Sequence, residues 1–322
     1  MSSVPASSAA LVLVVGDANP DLVLRGDVVP RFGQAEQLVD DLALLIGGSA
    51  AITAHGLARL DRPVALVAGV GADAFAKPML AELAAAGVRL DHVIERPGQT
   101  TGVTVVLSRN SDRAILTHLG TIPSLTGSEV LHAVRESPGL RHVHVASLFL
   151  QPSLARELPA VLAEIRALGS TVSLDTNDDP ARRWQGVTEL LPHVDVLLPN
   201  DSEAIALTEA VTGVAVGTAE EAARALAGRG PLVVVKCGPG GAVAVGPDGT
   251  VRTSPAVPVE PVDTTGAGDT FDAAFLDSWL NSEPLDACLA RAVRAGAAAV
   301  LAVGGTAGQP SALDLTTSER SE

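Results

Sequence analysis

Short unbroken apolar runs recur along this chain, each stopped by a turn-forming residue, and they limit its fold more than anything else. Leu11–Val15 ends in Gly16-Asp17, and similar runs stand at 64–68, 142–145, 172–174, 194–198 and 232–235. A run of four to eight apolar residues without polar alternation suits a strand buried on both faces. Between the runs lie segments rich in Ala, Leu, Glu and Arg with helical spacing, at 49–60, 73–86, 153–168, 202–210 and 218–228. Strand and helix in alternation predict an α/β fold with a parallel sheet covered on both faces. Residues 267–304 read as two more helices, divided near Ser282-Glu283-Pro284.

Two segments break the alternation. Residues 22–45 and 100–118 hold short strands of alternating polarity, such as Thr104-Val105-Val106-Leu107, with no helix of adequate length between them. They predict a separate small sheet inserted in the α/β frame. At 322 residues and 47% hydrophobic, the chain has enough material for one large core with that addition. It is therefore read as a single domain over 1–322, with tails 1–8 and 314–322 disordered.

A net charge of −15 argues against nucleic acid or an anionic membrane surface as partner. Apolar runs all fall short of the roughly 18–20 residues of a membrane span. Cys237 and Cys288 lie far apart in apolar contexts and read as free thiols of a reducing cytoplasm. An anionic ligand would have to be held by helix N-termini, bound cations and a few arginines, since Lys77 and Lys236 are the only lysines.

The chemistry is concentrated in Val262-Asp263-Thr264-Thr265-Gly266-Ala267-Gly268-Asp269-Thr270-Phe271. Phe271, Phe275 and Trp279 recur every four residues, so they share one helix face and put the glycines at that helix's N-terminus. Unpaired N–H groups and the positive dipole end form an anion site there, and glycine lets a phosphate come close. Asp269 would repel a phosphate, so it suits a base that takes a proton from an attacking hydroxyl. The plainer alternative is an acid in a first helical turn, which stabilises any helix by ~0.3–1 kcal/mol.

The whole string resembles the C-terminal signature of the ribokinase-like (PfkB) carbohydrate kinase family, and the likeness runs from Gly16 to about Ser311. The resemblance implies a three-layer α/β domain with a small β-sheet lid formed by about 22–45 and 100–118. It implies transfer of the γ-phosphoryl of ATP to a hydroxyl of a sugar, sugar phosphate or nucleoside, with Asp269 as base and Gly266, Ala267 and Gly268 as anion hole. In the family, positions matching Asn19 and Asp21 lie at the substrate hydroxyls, and a carboxylate accepts two of them at once. The same turn also reads as an Asx turn. Gly47 and Gly48, opening an Ala-rich helix, match the family's first signature and its close backbone approach to substrate. Ile52 stands where the family has Asn, and Asp61 where it has Gly, which predicts a less polar edge to the substrate pocket.

Asn200 and Glu203 read either as a capping box or, by resemblance, as the pair that positions Mg²⁺ through waters. Lys236 and Gly238 read either as a hairpin turn or, by resemblance, as phosphate or ribose contacts. Family members often bind a monovalent cation such as K⁺, which here would lie among Asp263, Thr265, Gly305 and Ser311. Gly69-Val70-Gly71-Ala72-Asp73-Ala74 imitates a dinucleotide fingerprint, but Asp73 would oppose a pyrophosphate, so a packing turn is expected. The loop 175–179 is either a ligand contact or a polar cap, and His142 and His144 read as packing on a strand. The leading reading is an ATP-dependent carbohydrate kinase. A nucleoside kinase of the same fold and a non-catalytic ligand-binding relative are its rivals, and exposed lid edges invite a homodimer.

Overall fold

The computed structural model describes residues 10–109 and 112–317, which hold thirteen strands and nine α-helices. The strands are β1 (Leu11–Val15), β2 (Asn19–Arg25), β3 (Asp41–Gly47), β4 (Val64–Gly71), β5 (Arg89–Arg96), β6 (Val103–Arg109) and β7 (Asp112–His118). They continue with β8 (Leu140–Val145), β9 (Thr171–Leu174), β10 (Val196–Leu197), β11 (Leu232–Lys236), β12 (Ala242–Val245) and β13 (Val251–Ser254). The helices are α1 (Ser49–Arg59), α2 (Ala76–Ala85), α3 (Gly127–Arg135), α4 (Pro152–Ala167) and α5 (Asp201–Thr212). After them come α6 (Ala219–Ala227), α7 (Ala267–Leu280), α8 (Leu285–Ala299) and α9 (Ala312–Thr317).

The apolar runs form the middle of a nine-stranded sheet in the order β13-β12-β11-β10-β9-β8-β1-β4-β5. It is parallel from β5 to β11 and antiparallel at β12 and β13. Alternate side chains of one strand serve opposite faces. Leu13 and Val15 of β1 thus join the core under α3 to α6 with Leu154, Leu162 and Leu207, while Val12 and Val14 join that under α1 and α2. A third cluster packs α7 and α8 on the β10–β11 end through Phe271, Phe275 and Leu289. Sheet and two helical layers match the expected three-layer architecture.

The two segments that broke the alternation form a separate four-stranded sheet, β3-β2-β6-β7, with β2 and β6 parallel and the outer pairs antiparallel. Its registers sort side chains cleanly. One face carries the cross-strand rows Leu44–Leu22–Val105–Leu116 and Leu42–Leu24–Leu107–Ala114. The other carries Leu45–Asp21–Thr104–Thr117 and Asp41–Arg25–Ser108–Arg113. Asp21 and Thr104 are buried, as are Val23 and Val106 of the row between them, while Leu42 and Leu116 are exposed, so the face that carries Asp21 turns toward the large sheet.

Several expectations need correction. The run at 194–198 yields only the two-residue β10, because Val194 closes a preceding turn. β5 and β13 are strands the apolar-run criterion missed, being the two end strands of the sheet and half or more polar. α3 was missed although Thr126 and Glu129 form its capping box. The tail expected to be disordered from 314 is helical to Thr317. Ser311 accepts from Asp314 N–H and donates to its carboxylate, and Leu315 docks on the core. Residues 1–9 lie outside the described part. Among the described residues no helix is long and apolar enough to cross a membrane.

His142 and His144 are buried on β8, bonded to Thr171 and Ser173, and burial pushes them down to about 3 and about 4, so both are neutral packing groups. A buried ion network sits at the opposite end of α7. Arg62 Nε donates to Asp277 Oδ1 at 2.8 Å, Arg62 Nη2 to Asn281 at 2.7 Å, and Arg291 pairs with Asp277 Oδ2 at 2.8 Å. Without Arg62, Asp277 would keep Arg291, but its Oδ1 and the Asn281 Oδ1 would lose the donor they share. Arg62→Ala is expected to lower stability by about 1–3 kcal/mol, read as a drop in the urea unfolding midpoint.

Candidate active site

α7 begins at the carboxyl ends of the large sheet's strands, where open α/β sheets collect ligands. Its N-cap, Gly266, has φ 71°, and a Cβ there would lie 2.5 Å from the Cα of Gly305. No L-residue side chain fits that approach. A Cβ on Gly305 would in turn meet Ile52 Cδ1 at 2.4 Å. Ile52, expected at the edge of the substrate pocket, is instead buried in the core and backs the turn that opens α7. The Ala267 N–H makes only a long 3.4 Å contact with Thr264 O, so the first-turn amides remain poised toward the cleft.

Asp269 lies in this first turn and keeps part of its surface open. Burial raises its carboxyl to about 7, with Asp175 and Asp17 adding to the rise and Ser49 and Lys236 opposing it. Its Oδ1 accepts the Ser49 hydroxyl, and Ser49 Oγ lies 2.9 Å from Asn177 Nδ2.

On the side toward the small sheet, Asn19 Nδ2 donates to Asp21 Oδ1 at 3.2 Å and to Thr104 Oγ1 at 3.1 Å. Burial and then Asp17 raise Asp21 to about 7, against the pull of Thr104 and Arg113. Gly47 pairs with Asn19, and a Cβ on it would lie 2.0 Å from Asp21 Oδ1. Gly48, at φ 84°, leaves room for the Asp17 carbonyl, whose side chain accepts from Ala50 N–H at 3.1 Å. Asn19, Asp21, Gly47 and Gly48 therefore form one patch.

On the other side of α7 is a cavity of about 730 Å³, a volume common for small-molecule sites. Gly238, Gly241, Val257, Phe271 and Val300 line it, and Lys236, Ala267 and Gly268 form its wall near Asp269. Lys236 does not offer the open cation that the sequence suggested. Its Nζ lies 2.7 Å from Asp175 Oδ2 and 3.0 Å from Asp272 Oδ2, directly beneath Gly268. Burial works against the ammonium, but the two carboxylates outweigh it and hold its pKa well above the usual lysine range.

Asn200 and Glu203 make the reciprocal capping box of α5, each bond 2.9 Å, which uses Glu203 Oε2. Burial and then Asp175 push Glu203 up to about 7. Asp263 Oδ1 accepts from Thr265 N–H at 2.9 Å and Thr265 Oγ1 at 2.7 Å, and Oδ2 from Gly304 N–H at 2.9 Å. Arg113, reaching over from β7, donates to Thr265 Oγ1 at 2.7 Å and lies 3.5 Å from Asp263. Gly305 adjoins this cluster, whereas Ser311 turns away to cap α9. Asp73 caps α2 and accepts Thr101 N–H at 2.7 Å, so the imitation dinucleotide loop is a packing turn.

Sequence reasoning missed Ser49, Asp272 and Arg113, and marked the loop 175–179 without singling out Asn177. Ser49 follows Gly47-Gly48 at a helix start, which was a usable signal. Arg113 and Asp272 gave none, since each is one charge in an otherwise ordinary strand or helix.

The sequence profile of the pfkB family carbohydrate kinases matches residues 9–312. The chain belongs to that family. It is an ATP-dependent carbohydrate kinase by that membership. The ribokinase of Bacillus subtilis is 28% identical over 93% of this chain and 96% of its own. The ATP-dependent ribose-1-phosphate kinase of Halopiger xanaduensis is 30% identical over 89% and 90%. The structure of Arabidopsis thaliana ribokinase complexed with ribose and ATP superposes with a TM-score of 0.81 over 96% of this chain and 98% of that one, at 26% identity.

A Cβ at 266 would clash with the Gly305 backbone, which no rotamer can relieve. Gly266→Ala should keep its circular dichroism spectrum yet lose at least about tenfold in turnover, a barrier change of ~1.4 kcal/mol.

Proposed function

We propose that this kinase phosphorylates a hydroxyl of a small sugar of the ribose type, with Asp269 as the base. The observation that carries the reading is the place of Asp269. It stands at the amide end of α7, between the 730 Å³ cavity and the Asn19–Asp21 patch. The cavity wall at Lys236 and Gly238 suits the nucleotide of ATP, with its phosphate tail running toward Gly268. Asn19, Asp21, Gly47 and Gly48 suit the acceptor, whose hydroxyls a carboxylate and an amide bind in pairs.

In the reaction the acceptor hydroxyl gives its proton to the Asp269 carboxylate as its oxygen bonds to the γ-phosphorus. The bond from that phosphorus to the β–γ bridging oxygen breaks and ADP leaves. The N–H groups of Gly266, Ala267 and Gly268 take up charge on the transferring group, the kind of preorganised stabilisation that dominates such steps. The small sheet acts as lid, and the Arg113 contact with Thr265 holds it against the α7 turn, excluding water.

Mg²⁺ would neutralise the β- and γ-phosphate oxygens. Among the described residues no group of three acids, histidines or cysteines could cage a metal, which fits an ion held mainly by phosphates and water. Asn200 and Glu203, with Asp175 close enough to raise Glu203, suit that water shell. A monovalent ion fits less well. Both oxygens of Asp263 already accept protein N–H or O–H groups and a guanidinium stands beside them, so the reading includes no K⁺ requirement.

One observation favours a second reading, an acceptor that already bears a phosphate as in the Halopiger relative. Arg25, Arg109 and Ser108 line a pocket of about 230 Å³ beside Asp263. Ribose against ribose phosphates in a coupled ADP assay decides between them. The apolar rows on the outer face of the small sheet support a homodimer in which two lids pack together. Sedimentation is expected to show a dimer at micromolar concentration that Leu44→Asp with Leu116→Asp dissociates. A wild-type monomer would remove the idea.

Asp269→Asn should cut turnover by about 10²–10⁴ while the KM for ATP stays within about twofold. Because only the ionised carboxylate accepts a proton and its pKa is raised to about 7, kcat/KM should fall about tenfold per unit below pH 7 and level off above it. A flat profile down to pH 5 would refute Asp269 as base.

A further inference from the structure

Ser147 and Asn177 both have φ 54°, a left-handed backbone that strains a residue other than glycine and persists only where its surroundings enforce it. They follow the neighbouring parallel strands β8 and β9, and each meets the other. Ser147 N–H donates to Asn177 Oδ1 at 2.8 Å. A backbone N–H can only donate, so the atom facing it must be the amide oxygen, and the orientation of Asn177 is forced by that bond. Its Nδ2 then points the other way, to Ser49 Oγ at 2.9 Å. An NH₂ group can only donate, so Ser49 Oγ accepts there, and its single proton is left for Asp269 Oδ1.

Each step fixes the next. We propose that Ser49 and Asn177 form a one-way hydrogen-bond relay, anchored on the Ser147 amide, that orients Asp269 and reserves its Oδ2 for the acceptor's proton. The inference rests on Asp269 being the base. A proton on Oδ1 would leave the Ser49 hydrogen without a partner, since the amide of Asn177 occupies its other side. Protonation at Oδ1 is thereby disfavoured, and Oδ2, on which the relay makes no claim, is the oxygen open to the substrate. Ser49 and Asn177 are positioning residues. The charged groups that face Asp269 are Asp17 after β1, Asp175 after β9, and Lys236 on β11. Lys236 is already paired with Asp175 and Asp272, so the Ser49 hydroxyl is the donor aimed at the carboxylate itself.

The test is the acid limb of kcat/KM against pH, measured on the intact enzyme with ribose and MgATP. Ser49→Ala should move the limb up by about one pH unit, a tenfold change in the apparent constant, and Ser49→Thr should restore it. Asn177→Ala should move it in the same direction by less, and should add nothing in the Ser49→Ala background, because it acts through Ser49. A merely structural role would lower activity without moving the limb. An unmoved limb in Ser49→Ala, or additive shifts in the double variant, overturns the relay. Should Ser49→Ala not fold, Ser49→Thr with and without Asn177→Ala carries the same comparison. Asp269→Asn separates the two claims. If it turns over at a near-native rate, the base assignment has failed. If it is inactive while Ser49→Ala leaves the limb in place, only the relay has.

Discussion

The ammonium of Lys236, buried between Asp175 and Asp272, sets the geometry on which the site depends. Lys236 ends β11, Asp175 follows β9, and Asp272 stands near the start of α7, so three elements meet at one charge. Breaking a buried pair leaves an uncompensated charge at a cost of about 3–5 kcal/mol, which resists any slide or rotation of α7. Asp269 and Asp272 are three residues apart and share a helix face. Locking Asp272 onto the sheet therefore aims Asp269 at the same strand ends. The ion pair need not add net stability to do this, since burial is itself expensive here: it pushes the Asp272 carboxyl well above the usual range against the pull of Lys236.

That arrangement decides how phosphate charge can be met in a chain carrying −15 overall. Lys236 is already outweighed by two carboxylates, and Asp17, Asp21, Glu203 and Asp269 are all raised by burial. Positive potential is thus left to the amide end of α7 and to groups that arrive with the ligand or the small sheet. Arg113 is such a group. It comes from β7 of the small sheet and reaches the turn that opens α7, so its charge depends on the small sheet's place beside that turn.

The large sheet was legible because its central strands are apolar on both faces, a pattern that does not depend on distant partners. The small sheet was legible through period-two alternation, and α7 through Phe271, Phe275 and Gly266. What escaped had a physical reason. β5 and β13 lie near or at the sheet's ends and read as polar, and α3 depends on tertiary packing behind a modest capping box. Within the site, Asn19, Asp21 and the glycines were singled out through the family resemblance, since turn chemistry by itself reads equally well as an Asx turn. The pairing of Lys236 could not, since nothing at 236 reveals a buried acid 36 residues later. Ile52 was misread for the same cause: its partner, Gly305, is supplied by a loop at the far end of the chain.

The small sheet shows how one register can serve two purposes. Because side chains alternate, the rows that put Asp21, Thr104 and Arg113 inward oblige Leu22, Leu44, Val105 and Leu116 to face outward. A one-residue slip in β2 would bury the leucines over the acceptor patch and expose Asp21. An apolar cover on the outer rows would penalise that slip, since it would force Asp21 and Arg25 against the cover. The same contact that joins two lids would therefore also hold the polar row in register above the acceptor. Were two lids to pack and the acceptor to bind at Asn19 and Asp21, as proposed, both events would draw on β2 and β6 and could be coupled through backbone register alone.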